Sequence, residues 1–333
     1  MRTLIDGSGD VQFGHFATPV DHINHGDYDL WTPMDRRSTW LQRRLGFNQF
    51  EFVGLLSADQ VVGVAISSVG YVSVGFAYVH DRRQQRHAAV HRLMPLRMGA
   101  RLVQTPETGT STFSAPGLHT AISATQNTRH VQLRSKALSM DVTLSAQAQP
   151  PLRVCTKAGE TGWAFTRKSS ALQVEGTVTI NGQPQDVSHM LGLHDWSAGF
   201  MRRETFWNWA ASSSRLSDGR VVGLNLSCGV NETSFSENAV WVEGQCHPLP
   251  QVAFGYDRRN LDAPWEITSQ NDQVSLRFTP ALTAHQETIN AWLVASNFRQ
   301  IFGHYTGCIT LPDGTDISLQ DAPGFAERHF ARW

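Results

Sequence analysis

Strand-like segments separated by turn residues fill nearly the whole sequence, and this pattern limits the possible folds most strongly. From residue 47 onwards, apolar and polar side chains alternate over short runs that are bounded by Gly, Pro, Asn and Asp. Asn181-Gly182 lies between two such runs, and a two-residue Asn-Gly loop is a strong signal for a β-hairpin. A helical pattern is limited to residues 38–45, a short amphipathic segment that Ser38 or Thr39 can cap. The sequence therefore predicts an all-β protein made of antiparallel sheets.

The length of the chain bears on its division into domains. Its 333 residues are enough for one large domain or two of moderate size. Both halves have the same density of short strand-like segments, and the best linker candidate is Gln-Ala-Gln-Pro-Pro at residues 147–151. We therefore predict two antiparallel β-barrel or sandwich domains in tandem, at residues 1–150 and 151–333, with the candidate site in the second.

Charge and composition exclude several classes of protein. The formal net charge is −1, which gives no electrostatic reason to expect binding to nucleic acid or to an anionic membrane surface. No apolar run approaches the roughly 20 residues that span a bilayer, so we expect no stable membrane insertion. No signal peptide is visible, and the four cysteines have no CxxC spacing. We therefore expect a cytoplasmic protein with reduced cysteines.

Residues 191–226 concentrate ionisable and aromatic side chains inside what reads as sheet. Such breaks in the apolar–polar pattern tend to fall at functional sites. The candidate catalytic residues of this stretch are His194, Asp195, Arg202, Arg203 and Glu204.

The aromatic part of this stretch predicts a strand that is covered on both sides. A period of two places Trp207, Trp209 and Ala211 on one face. The same period places Phe206, Asn208 and Ala210 on the other face. We expect one of these faces to form the wall of a cavity.

Acid catalysis is one chemistry that these residues support. Trp196, Trp207 and Trp209 would remove water from the Asp195 carboxyl group, which favours the neutral acid. Such an acid can protonate an alkene or enol, and indole faces stabilise a nearby cation by about 2 kcal/mol. The alternative is structural: Asp195 forms a buried ion pair with Arg202 or Arg203, the Trp residues pack in the core, and His194 makes ordinary hydrogen bonds.

Further polar side chains are candidates for the wall of the same cavity. Asn side chains that point into a barrel are costly unless they are paired or solvated. The predicted ligand-binding residues are Trp196, Trp207, Asn208, Trp209, Asn225, Glu237, Asn238 and His304. Glu327, His329 and Trp333 are expected to fold back and cap the second barrel in a structural role.

Motifs for cofactors and metals are missing from the sequence. It has no Gly-rich loop before a helix, no HExxH, no GxSxG and no zinc-type Cys or His spacing. We therefore expect no cofactor and no metal, and a small apolar molecule as the ligand.

Several of these segments also resemble a known family. The run Gly192-Leu193-His194-Asp195-Trp196, with the later Trp-Asn-Trp and Ser-Asp-Gly-Arg segments, is similar to the signature of the AttH/carotenoid 1,2-hydratase superfamily. Nearly the whole chain resembles the DUF2804 family, up to the closing Gly-Phe-Ala-Glu-Arg-His and Ala-Arg-Trp. The resemblance implies a pair of lipocalin-like (calycin) barrels. Where the hydratase pattern often has two carboxylates, this chain has Leu193 and Asp195, which weakens the implication of acid-catalysed hydration.

Three functions from different classes remain open. The first is a cofactor-free hydratase, isomerase or cyclase that acts on a terpenoid, polyene or lipid-like molecule, with Asp195 as the acid. The second is a non-catalytic carrier of such a molecule. The third is a carbohydrate-active enzyme, in which Asp195 would act with a second carboxylate such as Glu204 or Glu237.

Overall fold

The strands of the protein form two antiparallel sheets. The structure is a computed structural model that describes residues 2–146, 149–230 and 235–333. Its helix is α1 (Trp40–Gly46). The strands of the N-terminal sheet are β1 (Gly14–His15), β2 (Phe47–Leu56), β3 (Gln60–Val69), β4 (Val72–Asp81), β5 (Arg86–Pro95), β6 (Ala100–Arg101), β7 (Gly109–Ala115), β8 (Leu118–Ala124), β9 (Thr128–Ser135), β10 (Leu138–Ser145), β11 (Leu152–Ala158), β12 (Gly162–Ile180), β13 (Gln183–Gln185) and β14 (Leu191–Phe200). The strands of the C-terminal sheet are β15 (Glu204–Arg215), β16 (Val221–Cys228), β17 (Ala239–Val242), β18 (Gln245–Pro248), β19 (Val252–Gly255), β20 (Trp265–Ser269), β21 (Val274–Asn290), β22 (Ala295–Thr310) and β23 (Asp316–Arg332).

Local signals in the sequence explain where these elements begin and end. Asn181 and Gly182 join β12 to β13 with φ values of 48° and 80°. A tight hairpin turn needs positive φ at both central residues, which Asn and Gly tolerate best. Thr39 caps α1 by accepting a hydrogen bond from the Gln42 backbone N–H, as the capping pattern predicted. The predicted all-β class, hairpin and helix are confirmed.

Pairing between distant strands shapes each sheet. In the N-terminal sheet the order is β5-β4-β3-β2-β14-β12-β10-β9-β8-β7-β6, so β2 meets β14 across more than a hundred residues of chain. In the C-terminal sheet the order is β18-β17-β16-β15-β23-β22-β21-β20-β19. Each sheet curls into a half-barrel around an apolar core of its own.

The change from one sheet to the other falls between Phe200 and Glu204. The sequence-based boundary at residues 150 and 151 does not coincide with it. The reason is that β12 is hydrogen-bonded to β10 on one side and to β14 on the other, which ties residues 152–200 to the N-terminal sheet. Residues 147 and 148 of the predicted linker lie outside the described residues.

A layer of aromatic side chains joins the two sheets, and we call it the inter-sheet layer. Phe52 of β2 meets Trp209 of β15 edge to face, with ring centroids 5.5 Å apart. Phe52 also meets Phe325 of β23 at 5.8 Å. Phe302 and Leu193 are buried in the same cluster. The faces of β14 and β15 that carry Leu193 and Trp209 therefore point at the opposite sheet.

Candidate functional site

A cavity opens next to the inter-sheet layer, between the two sheets. Its volume is about 1240 Å³, part of which is open to solvent. Aromatic and aliphatic side chains of β4, β21, β22 and the chain terminus form most of its wall, including Val74, Phe76, Ile289, Phe298 and Trp333. The cavity therefore belongs to both sheets, and not to the C-terminal sheet alone as expected.

Three buried ionisable side chains meet at one wall of this cavity, and we call them the Lys168 cluster: Lys168, Asp195 and Glu237. The Lys168 Nζ lies 2.9 Å from Asp195 Oδ2 and 3.3 Å from Glu237 Oε1. All three side chains are less than a tenth exposed, and all three line the cavity. The cluster thus places two carboxylates around one ammonium group at an apolar surface.

Neighbouring groups hold the cluster in place. Asp195 Oδ1 accepts hydrogen bonds from the hydroxyls of Ser197 at 2.7 Å and Thr166 at 3.2 Å. The Lys168 Nζ also lies 4.7 Å from the centre of the Trp209 ring, a cation–π contact. Burial opposes the charged form of Lys168, but Asp195 and Glu237 outweigh it and raise the pKa of the ammonium group. Lys168 is therefore a cation at neutral pH.

Strand register brings Lys168 to Asp195. The two residues are direct cross-strand partners on β12 and β14. The register shifts just beyond them, between Ser169 and Leu172, where Ala171 has a φ of 58°. At this irregularity β12 contacts the other sheet, because Ser213 of β15 accepts a hydrogen bond from the Ala171 N–H. The site therefore lies where the N-terminal sheet touches β15.

A second polar group lies on the C-terminal side of the cavity, around Glu327 of β23. Trp207 Nε1 donates to Glu327 Oε1 at 2.9 Å, and Gln300 Nε2 donates to Glu327 Oε2 at 3.1 Å. The Tyr78 hydroxyl of β4 donates to Gln300, which connects the two sheets. Burial, followed by the charge of Glu327, raises the pKa of Tyr78 well above its ordinary value. His329 Nδ1 lies 3.7 Å from Glu327 Oε1.

Two histidines and a carboxylate form a third polar group at the edge of the cavity. The His285 ring stacks on Phe76 with centroids 4.4 Å apart. Burial, followed by the nearby His91, lowers the pKa of His285 to about 4, so it is neutral at physiological pH. Glu287 pairs with His91. Burial, the largest single influence, opposes the charged form of Glu287, but the hydrogen bond to His91 and the charges of the nearby histidines together outweigh burial and lower the pKa.

The structure separates the predicted catalytic residues. Asp195 lines the cavity, whereas His194 lies on the opposite face of β14, with Nε2 3.0 Å from Glu51 Oε1. Arg202 donates to the Gly229 carbonyl at 2.9 Å, and the exposed Arg203 donates to the Trp333 carbonyl at 3.2 Å. Lys168, and not Arg202 or Arg203, is the cationic partner of Asp195. Glu204 is exposed and lies 3.6 Å from Arg332.

Three of the predicted ligand-binding residues line the cavity: Trp207, Trp209 and Glu237. The alternation on β15 is confirmed, because Trp207, Trp209 and Ala211 belong to the inter-sheet layer while Ala210 packs in the C-terminal core.

The other predicted ligand-binding residues have different surroundings. Trp196 packs edge to face on Phe165, away from the cavity. Asn208 donates to the Glu327 carbonyl, Asn238 to the Pro250 carbonyl, and His304 lies beside Asp321. Asn225 lies behind the wall, where it accepts from Trp209 Nε1 and donates to the Glu237 carbonyl, both at 2.7 Å. Asn225 therefore positions two residues of the cavity without lining it.

Sequence reasoning missed several cavity residues. Lys168 lies in the run Thr-Arg-Lys-Ser-Ser at residues 166–170, so no apolar background sets it apart, and a Lys in a polar run is most often exposed. Glu327, His329 and Trp333 were given a structural role, and all three line the cavity. Nothing local in the sequence pairs β23 with β15, so their position beside Trp207 depends on long-range topology.

Among residues 2–146, 149–230 and 235–333, no group of three or more His, Cys, Asp or Glu side chains is arranged to hold a metal ion. No helix in the same part of the chain is long and apolar enough to cross a membrane.

Two solved structures are similar to this chain to different degrees. An AttH-like protein from Nitrosomonas europaea is 11% identical over 90% of this chain and 96% of its own length, with a TM-score of 0.50, which shows a common fold. Kievitone hydratase from Nectria haematococca is 9% identical over 85% of this chain and 88% of its own, with a TM-score of 0.46. No curated protein sequence matches this chain at a significant level. The family model described as Domain of unknown function (DUF2804) matches residues 2–333, so the chain belongs to the DUF2804 family, as its motifs predicted.

Proposed function

We propose that this protein binds a largely apolar small molecule between its sheets and exchanges a proton with it, without a cofactor. The observation that supports this most directly is the buried Lys168 cluster at the wall of an apolar cavity. Replacing a buried ion pair with apolar residues often leaves stability unchanged or raises it, so stability alone does not account for this cluster. An ionisable group with a shifted pKa in a cleft, such as Lys168, is a candidate for function because catalytic groups need shifted pKa values.

Charge decides what the cluster can stabilise. Asp195 and Glu237 share a single ammonium group, so the fully ionised cluster carries one excess negative charge. In a water-poor cavity this charge favours uptake of a proton or a positive charge on the ligand. The Trp209 indole contacts the cluster and adds a quadrupole that attracts cations. The site is therefore complementary to a cation formed by protonating a polyene or enol.

The proton balance of the proposed reaction closes within the site. A carboxyl group of the cluster gives a proton to one carbon of the ligand. A carboxylate of the cluster then takes a proton from a neighbouring carbon, or water adds to the cation and releases a proton. Isomerisation and cyclisation follow the first route, and hydration follows the second. Asp195 Oδ2 accepts a hydrogen bond from the Lys168 ammonium at 2.9 Å, so in this reaction we assign Asp195 the role of proton acceptor and not of the lone acid that the sequence suggested.

Deuterium incorporation tests this proposal without knowledge of the ligand. We expect the wild-type protein, incubated in D₂O with an apolar extract of cells, to raise the deuterium content of one extract component. Asp195→Asn should slow this incorporation by about 10²–10⁴-fold, the usual effect of losing a general acid or base. Mass spectrometry of the extract gives the rate.

Binding and folding controls accompany this measurement. Asp141 is exposed on β10, far from the cavity, so Asp141→Asn should exchange deuterium as the wild type does. N-phenyl-1-naphthylamine, an apolar fluorophore, should bind wild type and Asp195→Asn alike. Equal incorporation by Asp195→Asn and Asp141→Asn would refute the proposed role of the cluster.

A carrier of apolar molecules is the second candidate, and the apolar wall of the cavity favours it. In that case a ligand co-purifies with the protein, but no component of the extract gains deuterium. A carbohydrate-active enzyme has less support. Asp195 and Glu237 do line one cavity, but apolar walls leave sugar hydroxyls without hydrogen-bond partners.

A further inference from the structure

A second pocket lies beside α1, and it differs in chemistry from the cavity between the sheets. Its volume is about 1040 Å³, part of which is open to solvent. It is formed by α1, by the start of β2 and by the turn between β5 and β6. We call it the arginine pocket, after Arg43, Arg44 and Arg97 in its wall.

Positive charge in this pocket is not balanced by its surroundings. No Asp or Glu is among the described residues that line it. Arg43 donates to the Gly26 carbonyl at 2.7 Å, and Arg97 donates to the carbonyls of Gly70 and Phe47. These partners are neutral, and a guanidinium group has five N–H donors, so donors remain for an anion. Three like charges around one space favour an anionic guest.

Arg97 lies in a turn whose backbone conformation is strained. Leu96 and Arg97 have φ values of 55° and 59°, and the Met98 N–H donates to the Pro95 carbonyl at 3.0 Å. This is a tight turn in which both central residues are left-handed, a conformation that Asn-Gly adopts far more readily. Strained residues of this kind cluster at ligand sites. Here the strained turn directs the Arg97 guanidinium to Phe47, at the base of the pocket.

Repulsion between Arg44 and Arg97 also disfavours their positive charges. Burial, followed by the charge of Arg44, lowers the pKa of Arg97 to about 10. Arg97 therefore remains charged at neutral pH, but it is crowded by a like charge. An anion between the two groups would relieve this repulsion.

An aromatic surface completes the pocket. Trp40 is 72% exposed, and the Arg44 guanidinium lies 5.8 Å from the centre of its ring. His25 stacks on Phe47 with ring centroids 3.7 Å apart. An exposed Trp next to guanidinium groups suits a ligand that carries both a flat apolar part and an anion.

We propose that the arginine pocket binds a phosphate monoester with an aromatic or apolar organic part, at a site separate from the cavity. A doubly charged oxyanion matches several guanidinium groups better than a single carboxylate does, because each group can donate two parallel hydrogen bonds to it. The phosphate belongs either to a soluble ester or to a phospholipid headgroup.

Titration with 1-naphthyl phosphate tests the site. We expect saturable binding that weakens with added salt, because the contacts are between charges. Arg44→Gln should weaken it by about tenfold, the usual effect of losing one charged hydrogen bond. Arg44 is exposed at the surface of α1, which makes its substitution safe for folding. Arg43→Gln provides a second test at the same pocket.

Matched controls make the result decisive. Arg134→Gln changes an exposed arginine on β9, outside the pocket, and should bind 1-naphthyl phosphate as the wild type does. Asp195→Asn should also bind it normally, which separates this site from the cavity. 1-Naphthol, which lacks the phosphate, should not compete. Equal affinity of Arg44→Gln, Arg43→Gln and Arg134→Gln, or the absence of saturable binding, would overturn the proposal.

Two further arms identify the source of the phosphate. If inorganic phosphate displaces 1-naphthyl phosphate and vesicles do not bind, the ligand is a soluble ester. If vesicles of phosphatidic acid in phosphatidylcholine sediment the wild type but not Arg44→Gln, and pure phosphatidylcholine sediments neither, the ligand is a lipid headgroup. Both results support an oxyanion site at Arg44.

Discussion

At the scale of single residues, Glu51 and His194 form a buried pair inside the N-terminal half-barrel. Burial raises the pKa of Glu51 to about 7. Burial, followed by the charges of Arg129 and Arg167, lowers the pKa of His194 well below its ordinary value. The pair therefore favours a neutral histidine and a carboxyl group that keeps its proton far above the usual range. Sequence reasoning placed His194 in a catalytic group, but its contacts give it this packing role.

We predict that Glu51→Gln changes how stability depends on pH. The pKa of Glu51 is higher in the folded than in the unfolded protein, so its stabilising effect is complete below about pH 4.5 and is lost as the pH rises through about 7. Relative to wild type, the Gln variant should gain about 3 kcal/mol in unfolding free energy across this window. Urea unfolding of both proteins at several pH values measures the difference. A difference that is constant with pH would contradict the assignment.

At the scale of elements, the irregularity in β12 lies directly beside the Lys168 cluster. Ala171 is buried and left-handed at this point, and its N–H is bonded to Ser213 of the other sheet. Beyond this point β12 stays paired with β10 and β14 of the N-terminal sheet. The shift between Ser169 and Leu172 therefore connects the local backbone to the position of the site.

We predict that Ala171→Val destabilises the protein by about 2 kcal/mol or more, although Val is otherwise favoured in strands. The branched side chain disfavours a positive φ, and Ala171 is buried, so added methyl groups must displace packed neighbours. Ala121, half-buried on β8 with regular strand geometry, is the matched control, and Ala121→Val should be nearly neutral. Chemical denaturation gives both values. Similar small effects at the two positions would show that the conformation of Ala171 carries no strain.

Local elements were predictable because their signals are local. Alternation placed Trp207 and Trp209 on one face, and Asn181-Gly182 and Thr39 marked a turn and a helix start. The partner of Asp195 was not predictable in this way. Lys168 is 27 residues away in sequence, and only the pairing of β12 with β14 brings it to Asp195.

At the scale of the whole molecule, the inter-sheet layer makes the two half-barrels depend on each other. Phe325 of the C-terminal sheet is fully buried against Phe52 and Trp209. The hydrogen bond from Tyr78 to Gln300 crosses the same boundary. The two sheets are therefore expected to unfold together.

We predict that Phe325→Ala lowers the unfolding free energy by about 3–5 kcal/mol, as loss of a buried Phe usually does. Hydrogen exchange should then become faster in β9 of the N-terminal sheet as well as in β22 of the C-terminal sheet. Phe206 is 41% exposed, so Phe206→Ala should have little effect. Faster exchange confined to the C-terminal sheet would show that the sheets unfold independently.

The division of the chain and the location of the cavity were the least predictable features. The Pro-rich segment at residues 147–151 suggested a boundary, but hydrogen bonds of β11 and β12 continue the N-terminal sheet beyond it. The cavity was expected within the second domain because the strand that carries Trp207 and Trp209 was predicted to form its wall. Its second wall comes from β4, whose contact with β21 cannot be read from either segment alone.

The walls of the cavity come from both sheets, and this has a practical consequence for the search for a ligand. A compound that fills the cavity contacts both sheets at once. Its binding therefore raises the free energy of unfolding of the whole protein. When the free compound is at a hundred times its dissociation constant, the free energy of unfolding rises by about 2.7 kcal/mol. Melting temperature therefore offers a single readout with which unlabelled metabolite libraries can be screened for a ligand of this cavity.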